Sequence, residues 1–330
     1  CGALGSVAAD MLARAGVGHL VIVDRDFVEL TNLQRQVLFD ERDVADALPK
    51  AVAARRKLQS INSEVTVTAV VDDVNHENIV RLADGADVLV DGVDNLETRY
   101  LANDYAVRHA VPYVYGAAVG TTGMAFPVLP HGDGNAPWEQ AAGGNHATPC
   151  FRCLFEEAPP PGTVATCDTV GVIGPAVAMI ANFQVAEALK ILTGNYSRVT
   201  RTLNSVDLWA NELSQLKVAS AYDKGNCPCC KGRRFDYLDG RLGSSADVLC
   251  GRNAVQLRHR QQRSRIDLQT VAGQLHAHGR VQSSEFMVRA TIDDRDNPYE
   301  ITVFADGRAI VKGTDEPGVA RSVYAKYVGA

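Results

Sequence analysis

Four cysteines of the 330-residue chain stand in two pairs whose spacing is typical of metal ligands. Cys150 and Cys153 form the first pair, and Cys227 and Cys230 form the second. Four thiolates arranged in this way suit a tetrahedral Zn²⁺ site with no open position, which stabilises structure rather than catalysing a reaction. Two redox-active dithiols are the alternative, although neither pair lies at a convincing strand–helix turn. Spacing alone favours Cys230 over Cys229 as the fourth ligand.

A glycine turn opens the chain, and an acidic residue follows it by about 20 positions. Gly2 and Gly5 precede a helical pattern, so the backbone amides of the turn are suited to phosphate groups. Asp24 stands at the end of the next predicted strand, where a carboxylate can hold the hydroxyl pair of a ribose. A tight strand–helix turn without a ligand is the simpler interpretation of the same glycines. The chain has no Gly-x-x-x-x-Gly-Lys-Ser/Thr sequence, which excludes an ordinary P-loop.

Further polar residues follow at positions that a nucleotide site would use. Residues 31–36 (TNLQRQ) are too polar and irregular for a core strand, Lys50 stands at the start of a helix, and residues 90–95 (VDGVDN) end a strand. Ligands of an open α/β sheet bind beyond the carboxyl ends of its strands, where Asp24 and Asp94 are both expected. Arg35 and Lys50 would there neutralise phosphate charge, and a solvated basic surface is the alternative for both.

Cys167 stands apart from the two cysteine pairs, shortly before a helical segment. An exposed thiol near a helix N terminus can have a lowered pKa and act as a nucleophile. A small buried cysteine that only packs is an equally good interpretation of the same pattern.

These residues are positioned by strands and helices that alternate along the first part of the chain. The alternation predicts an α/β fold, with a Rossmann-like, mainly parallel sheet flanked by helices. The predicted strands are 17–24, 65–71, 86–92 and 111–116, and the predicted helices are 48–62, 75–83 and 96–109. The chain begins with Cys1 inside the glycine turn, so we expect the strand before it to be missing.

The rest of the chain divides into a loop, a buried helix and a tail. Residues 131–149 are rich in Gly, Ala, Asn and Pro, which predicts a mobile loop, and residues 175–193 predict a largely buried helix. We expect a nucleotide-binding domain over residues 1–240 and a small α+β domain over 245–330, with strands at 286–292, 300–304 and 309–312 and a helix at 317–327. The arginines of this tail predict a solvated helix face: Arg252, Arg258, Arg260, Arg263 and Arg265.

Composition narrows the class of protein. The chain is 46% hydrophobic, which is ample for packed cores, and it is 22% charged with a formal net charge of −6. A dedicated nucleic-acid binder would usually be basic, so we expect no nucleic-acid partner. No uncharged apolar run reaches about 18 residues, so we expect no membrane span.

Five ordered motifs carry a family resemblance: the glycine turn, the strand-terminal Asp24, residues 32–36 (NLQRQ), Pro49-Lys50, and Asp94-Asn95 followed four residues later by Arg99. With them, the chain from residue 1 to about 235 resembles the ThiF/MoeB/HesA family, relatives of the ubiquitin-activating E1 enzymes. The resemblance implies that the site binds ATP and Mg²⁺ and that the four paired cysteines bind Zn²⁺. It places Gly2 and Gly5 at the phosphate turn and Asp24 on the ribose. Asn32, Arg35 and Lys50 would contact the phosphates, while Asp94, followed by Asn95, would bind Mg²⁺. Cys167 would be the thiol that captures a carrier protein.

The family resemblance also implies an activity. Its members adenylate the C-terminal glycine of a small ubiquitin-like (ThiS/MoaD-type) sulfur-carrier protein and release pyrophosphate. It implies a cytoplasmic homodimer, with a sulfurtransferase or cysteine desulfurase as a further partner. A nicotinamide-dependent oxidoreductase is the alternative enzyme, but it leaves residues 31–36, Lys50 and the four cysteines unexplained. An E1-like scaffold that binds a carrier without activating it is the non-catalytic alternative.

Overall fold

The computed structural model describes residues 1–158, 170–242, 247–249, 253–257, 267–294, 297–305 and 308–328. The chain divides into two compact units. The first comprises Cys1–Val44 and Pro49–Gly243, and the second comprises Ala45–Leu48 and Ser244–Ala330. Cys167 and the arginines of the predicted basic face lie outside the described residues.

The helices up to residue 242 are α1 Ala3–Arg14, α2 Glu41–Ala45, α3 Lys50–Ile61, α4 Ile79–Leu82, α5 Leu96–His109, α6 Pro137–Gln140, α7 Phe151–Leu154, α8 Gly174–Leu192 and α9 Ser220–Lys224. The strands are β1 His19–Val23, β2 Thr66–Val70, β3 Leu89–Val90, β4 Tyr113–Val119, β5 Thr122–Val128, β6 Thr202–Asp207 and β7 Glu212–Lys217. From α1 to β4 helices are interspersed with strands, as the sequence predicts, although α3 follows α2 directly and β5 follows β4 directly.

The pairing of these strands is parallel first and antiparallel afterwards. β1 pairs with β2 in parallel, and β3 pairs with β4 in parallel. The second of these sheets has the order β3-β4-β5-β6-β7, and each pairing after β4 is antiparallel. Only antiparallel neighbours can be joined by a loop as short as Gly120-Thr121, where Gly120 has a φ of +62°. The α/β fold is confirmed, and its parallel part is the part that carries the predicted nucleotide motifs.

Helix α8 contributes buried residues to two of the apolar cores of the first unit. It packs over β4 and β5, where Gly116 and Gly123 leave room for Gln184 and Ile180. A Cβ on Gly116 would lie 2.3 Å from Gln184 Cδ, so the glycine is required for this close approach. By length and composition α8 could cross a membrane, but half of its most apolar stretch is buried, as in the core helix of a globular unit.

The segment predicted as a mobile loop contains α6 and is fastened to its surroundings. Trp138 is buried, and its Nε1 donates to the carbonyl oxygen of Pro130 at 2.9 Å. The carboxylate of Glu139 accepts hydrogen bonds from the backbone nitrogens of Gly132 and Gly134 at 2.9 and 3.0 Å. These contacts are local in sequence, and a distant one is added by Arg201, whose Nη2 donates to the carbonyl oxygen of Asn145 at 2.7 Å. Composition alone does not reveal such contacts.

In its described residues the second unit is an antiparallel sheet with two helices. Its strands are β8 Asp247–Leu249, β9 Ala254–Leu257, β10 Gly279–Ser283, β11 Met287–Asp294, β12 Asn297–Phe304 and β13 Ala309–Lys312, in the order β10-β11-β12-β13-β9-β8. Helices α10 Leu268–His276 and α11 Pro317–Tyr327 contribute Leu275 and Tyr324 to a core that includes Ile301 and Val311. The three strands and the helix predicted for the tail correspond to β11, β12, β13 and α11.

Candidate functional site

The glycine turn lies against the acidic end of β1. Gly2 is the N-cap residue of α1, and the nitrogen of Cys1 donates to Asp24 Oδ2 at 2.6 Å. Asp24 Oδ1 accepts a second hydrogen bond, from the backbone nitrogen of Asp26 at 2.7 Å. The predicted neighbourhood of turn and carboxylate is therefore present at the N terminus of α1, where backbone amides favour anions.

Lys50 approaches the same place from the first residue of α3. Its side chain is buried, and its Nζ lies 3.2 Å from Asp26 Oδ2. The backbone nitrogen of Lys50 also donates to the carbonyl oxygen of Asp26 at 2.9 Å. A buried ammonium group needs such a charged partner. Asp26 thus joins Lys50 to Asp24, a role that sequence reasoning missed, although its position two residues after Asp24 was a signal.

Residues 31–36 fold back towards the glycine turn. A 3₁₀ turn, Leu30–Asn32, buries Asn32, whose carbonyl oxygen accepts hydrogen bonds from the nitrogens of Arg35 and Gln36. Arg35 Nη1 donates to the carbonyl oxygen of Thr31 at 3.0 Å, at the surface. Gln36 is buried, and its Nε2 lies 3.9 Å from the position of a Cβ on Gly2.

Gln36 is a second residue that the sequence analysis did not select. Within the described part of the chain, its buried Oε1 has no hydrogen-bond partner. A buried amide oxygen without a donor is costly, so an unpaired acceptor beside a glycine turn suits a ligand that carries hydroxyl or amino groups. Nucleosides carry both.

The end of β3 reaches the same turn through two glycines. A Cβ on Gly92 would lie 3.1 Å from the Cα of Gly5, closer than most side chains pack, so glycine favours this approach. Asp94 follows and is exposed, whereas the side-chain oxygen of Asn95 accepts from the nitrogen of Thr98 at 2.8 Å and caps α5. The amide oxygen of Asn95 is thereby engaged, and its Nδ2 lies 3.5 Å from Asp94 Oδ1.

These contacts bring most of the predicted nucleotide residues to one edge of the first unit. The turn amides and Lys50 suit phosphates, and the oxygens of Asp24 and Gln36 suit hydroxyl groups. The exposed carboxylate of Asp94 is the kind of ligand that Mg²⁺ takes in nucleotide sites. The residues present therefore fit a magnesium nucleotide.

The four paired cysteines converge although 73 residues separate the two pairs. The sulfur atoms of Cys150, Cys153, Cys227 and Cys230 all lie within 4.8 Å of one another. Three of the S–S distances are 3.6, 3.8 and 3.3 Å. Zn²⁺ bound by four sulfurs at about 2.3 Å sets those sulfurs about 3.8 Å apart, so this cluster fits the ion.

Cys229 lies beside the cluster with contacts of its own. It is fully buried, and its sulfur accepts a hydrogen bond from Asn103 Nδ2 at 3.4 Å. Asn103 Oδ1 accepts from the nitrogen of Phe151 at 2.8 Å, so α5 holds both cysteine segments. Hydrogen bonds from neighbouring thiols, that of Cys153 first, hold the pKa of Cys150 well below its ordinary value. A thiolate at that position is the form that a metal requires.

A buried ionic network supports the same segments. Arg152, between the first two ligands, lies 3.5 Å from Asp104 Oδ1 and 3.6 Å from Asp236 Oδ2. Burial is the main cause of the raised pKa of Asp104. All six cysteines of the described residues are free thiols, so neither pair forms a disulfide.

Comparisons of the sequence with known proteins give one family and similar relatives. The sequence model of the ThiF family matches residues 1–229. The sulfur carrier protein ThiS adenylyltransferase of Bacillus subtilis is 44% identical over 329 residues, which cover 99% of this chain and 90% of that protein. The SAMP-activating enzyme E1 of Haloferax volcanii is 41% identical over 191 residues, 58% of this chain and 64% of that protein. The similarity to the first of these two proteins continues through the second unit.

A solved structure shows the same fold. The crystal structure of E. coli MccB with ATP matches with a TM-score of 0.54 and 22% sequence identity. The match covers 70% of this chain and 64% of that chain, so this chain spans slightly less than two thirds of MccB. The likeness confirms the E1-like α/β architecture.

Proposed function

The chain belongs to the ThiF family, and on that premise we propose that it is an ATP-dependent adenylyltransferase. Its substrate would be the C-terminal glycine of a small ubiquitin-like sulfur-carrier protein. The observation that carries the proposal is the convergence of the glycine turn, Asp24 and Lys50 at the N terminus of α1. The likeness to the ThiS adenylyltransferase of Bacillus subtilis supports it, and favours a carrier of the ThiS type.

We assign a part of ATP to each element of the site. The amides at Gly2 and Gly5 bind phosphate, and Asp24 accepts hydrogen bonds from the ribose hydroxyls. Asn32, Arg35 and Lys50 bind the phosphates from the other side of the turn. Asp94, with Asn95 beside it, would hold Mg²⁺, which would supply charge neutralisation at the phosphates.

The reaction follows from these charges. A carboxylate oxygen of the carrier attacks the α-phosphorus, the bond to pyrophosphate breaks, and the electron pair leaves with the pyrophosphate. The products are the acyl adenylate and pyrophosphate. Nucleophile and phosphates are both anionic, so their approach needs the fixed cations of Arg35 and Lys50. No covalent step on the protein is required for adenylation.

The cysteine cluster has a structural part in this proposal. Cys150, Cys153, Cys227 and Cys230 would hold Zn²⁺, which would tie two distant segments to α5. Thiolate ligands require a reducing compartment, which supports a cytoplasmic location. A homodimer, a sulfurtransferase or cysteine desulfurase partner, and a carrier-capturing role for Cys167 complete the proposal on the strength of the family alone.

ATP–pyrophosphate exchange that depends on a carrier protein tests the function. Purified chain is mixed with ATP, Mg²⁺, labelled pyrophosphate and a ThiS-type carrier, and the matched control is the same carrier without its C-terminal glycine. Exchange with the intact carrier alone is the expected result. Carrier binding without exchange would establish the scaffold alternative, and hydride transfer without exchange would establish the oxidoreductase. Either result overturns the proposal.

A further inference from the structure

A buried ion pair lies beneath the loop that carries Asp94. Arg99, in the first turns of α5, places its Nε 3.2 Å from Asp91 Oδ2. The two side chains are 11% and 0% exposed. Nη2 of the same guanidinium group donates to the carbonyl oxygens of Val93 at 2.8 Å and Gly116 at 3.3 Å. One side chain therefore connects the loop after β3 to β4.

Asp91 holds the same loop from its other side. Its Oδ1 accepts a hydrogen bond from the nitrogen of Val93 at 3.0 Å, and its Oδ2 accepts one from the hydroxyl of Tyr113 at 2.7 Å. Gln184 of α8 donates through Nε2 to the carbonyl oxygen of Asp91 at 2.8 Å. Both backbone polar groups of Val93, the residue before Asp94, are thus bound by the ion pair.

Stability alone does not account for this arrangement. A buried ion pair loses so much hydration that a well-packed apolar pair of similar volume is often equally stable. The ion pair instead gives the loop a fixed geometry, because a guanidinium group can make several hydrogen bonds in one fixed plane. Here that plane is used to fix a short loop whose next side chain is an exposed carboxylate.

We propose that Arg99 and Asp91 are positioning residues that fix the backbone at Val93 and so aim the carboxylate of Asp94 at the Mg²⁺ of the bound nucleotide. The proposal rests on the proposed function. Neither residue touches the nucleotide in this account, and both act through the loop. Substitution of either residue should therefore raise the Mg²⁺ concentration needed for activity, with less effect on the affinity for the nucleotide itself.

The test uses two variants and one matched control in the full chain. Arg99→Lys keeps the charge but loses the planar group, and Tyr113→Phe removes one hydrogen bond to Asp91 while the ion pair remains. Tyr105→Phe is the control, because its buried hydroxyl also makes one hydrogen bond, to the carbonyl oxygen of Ala83 at 2.9 Å, away from the loop. Each protein is assayed for the Mg²⁺ concentration at half-maximal exchange and for ATP affinity without Mg²⁺. Amide hydrogen exchange of residues 92–95 is measured in parallel.

We expect the variants to change the Mg²⁺ requirement and the amide exchange of residues 92–95, and to leave the affinity for ATP without Mg²⁺ unchanged. Arg99→Lys should need about tenfold more Mg²⁺, the size expected when a charged hydrogen bond is lost, and Tyr113→Phe should shift in the same direction. Both variants should bind ATP alone as the wild type does and should exchange the amides of residues 92–95 faster. Tyr105→Phe should match the wild type in all three measurements.

Failure of the proposed function and failure of the positioning role give different results. If the wild type shows no carrier-dependent exchange, the proposed function fails, and the positioning role then stands or falls on the amide exchange of residues 92–95 and on calorimetric ATP affinity with and without Mg²⁺. If the wild type is active but Arg99→Lys and Tyr113→Phe behave like Tyr105→Phe, the positioning role is overturned. If Arg99→Lys does not fold, Tyr113→Phe alone decides.

Discussion

Among single residues, Lys50 shows how the protein holds a positive charge in place before a ligand binds. Its amine is buried and lies 3.2 Å from Asp26, which itself donates through its backbone to Asp24. The cation is therefore held at a defined point near the carboxylate of Asp24, for which we propose ribose binding. Its counter-ion keeps the buried charge tolerable when no phosphate is bound.

Replacing this lysine should abolish the chemistry while leaving the fold. Lys50→Met should lower the ATP–pyrophosphate exchange rate by about a hundredfold or more, because a fixed cation at the reacting phosphates is lost. Lys57→Met, on the same helix, is the matched control, since Lys57 is half-buried and pairs with Asp40 and Asp43 instead. The control should keep the wild-type rate. Equal rates for the two variants would exclude Lys50 from the machinery.

The fourth metal ligand can be decided by a pair of neighbouring substitutions. Cys230 belongs to the group of four close sulfurs, whereas Cys229 receives its hydrogen bond from Asn103. Cys230→Ser should therefore lose most of its zinc, and Cys229→Ser should keep about one zinc per chain. Elemental analysis of the purified variants measures this. Zinc retained by Cys230→Ser and lost by Cys229→Ser would reverse the ligand assignment.

Residue type and spacing selected Gly2, Asp24 and Lys50 as candidates because each carries its chemistry in its own side chain or backbone. Gln36 and Asp91 were not selected, since their importance lies in contacts that only the fold creates. Asp91 is 22 residues from Tyr113 and 93 from Gln184 in sequence, yet it is bound to both. Such partners are distant in sequence, so no local sequence pattern indicates them.

At the scale of elements, the packing of α8 on β4 depends on one missing Cβ. Gly116→Ala should destabilise the first unit by about 1–3 kcal/mol, because the added methyl group would overlap Gln184. Gly18→Ala is the matched control: nothing lies within 4 Å of its added Cβ, so its effect should stay within about 0.5 kcal/mol. Chemical unfolding measures both free energies.

A double substitution separates overlap from other causes. Gly116→Ala should cost much less in a Gln184→Ala background, because the overlapping side chain is then absent. Additive effects of the two substitutions would show that the contact between Gly116 and Gln184 does not set the distance between helix and sheet.

The apolar pattern of the sequence predicted the bounds of some helices closely. It did not predict the direction in which neighbouring strands run. The predicted helix over 96–109 coincides with α5, since Asn95 caps its start and Ala110, with a φ of +51°, ends it. The antiparallel half of the sheet was not foreseen. Strand direction depends on which strands become neighbours, and here the loop Gly120-Thr121 makes β5 return along β4. Apolar runs alone carry no information about that return.

At the scale of the molecule, two units with separate cores should respond differently to loss of zinc. The cysteine cluster lies within the core that contains Tyr100 and Phe151 of the first unit, whereas Ile301 and Val311 belong to the core of the second. Removing zinc with a chelator at mildly acidic pH should expose the amides of α5 to hydrogen exchange, because protonated thiols release the metal. The amides of β11 should keep their protection. Equal loss in both would contradict two independently stabilised units.

Conversion of a carrier's terminal carboxylate into an acyl adenylate is the reaction that we propose for this chain. Intact-mass spectrometry of a ThiS-type carrier, incubated with the chain, ATP and Mg²⁺, tests it most directly. The account predicts a carrier heavier by one adenylyl group, sensitive to hydroxylamine, and absent with Lys50→Met. A carrier of unchanged mass, together with wild-type binding of both ATP and carrier, would contradict it.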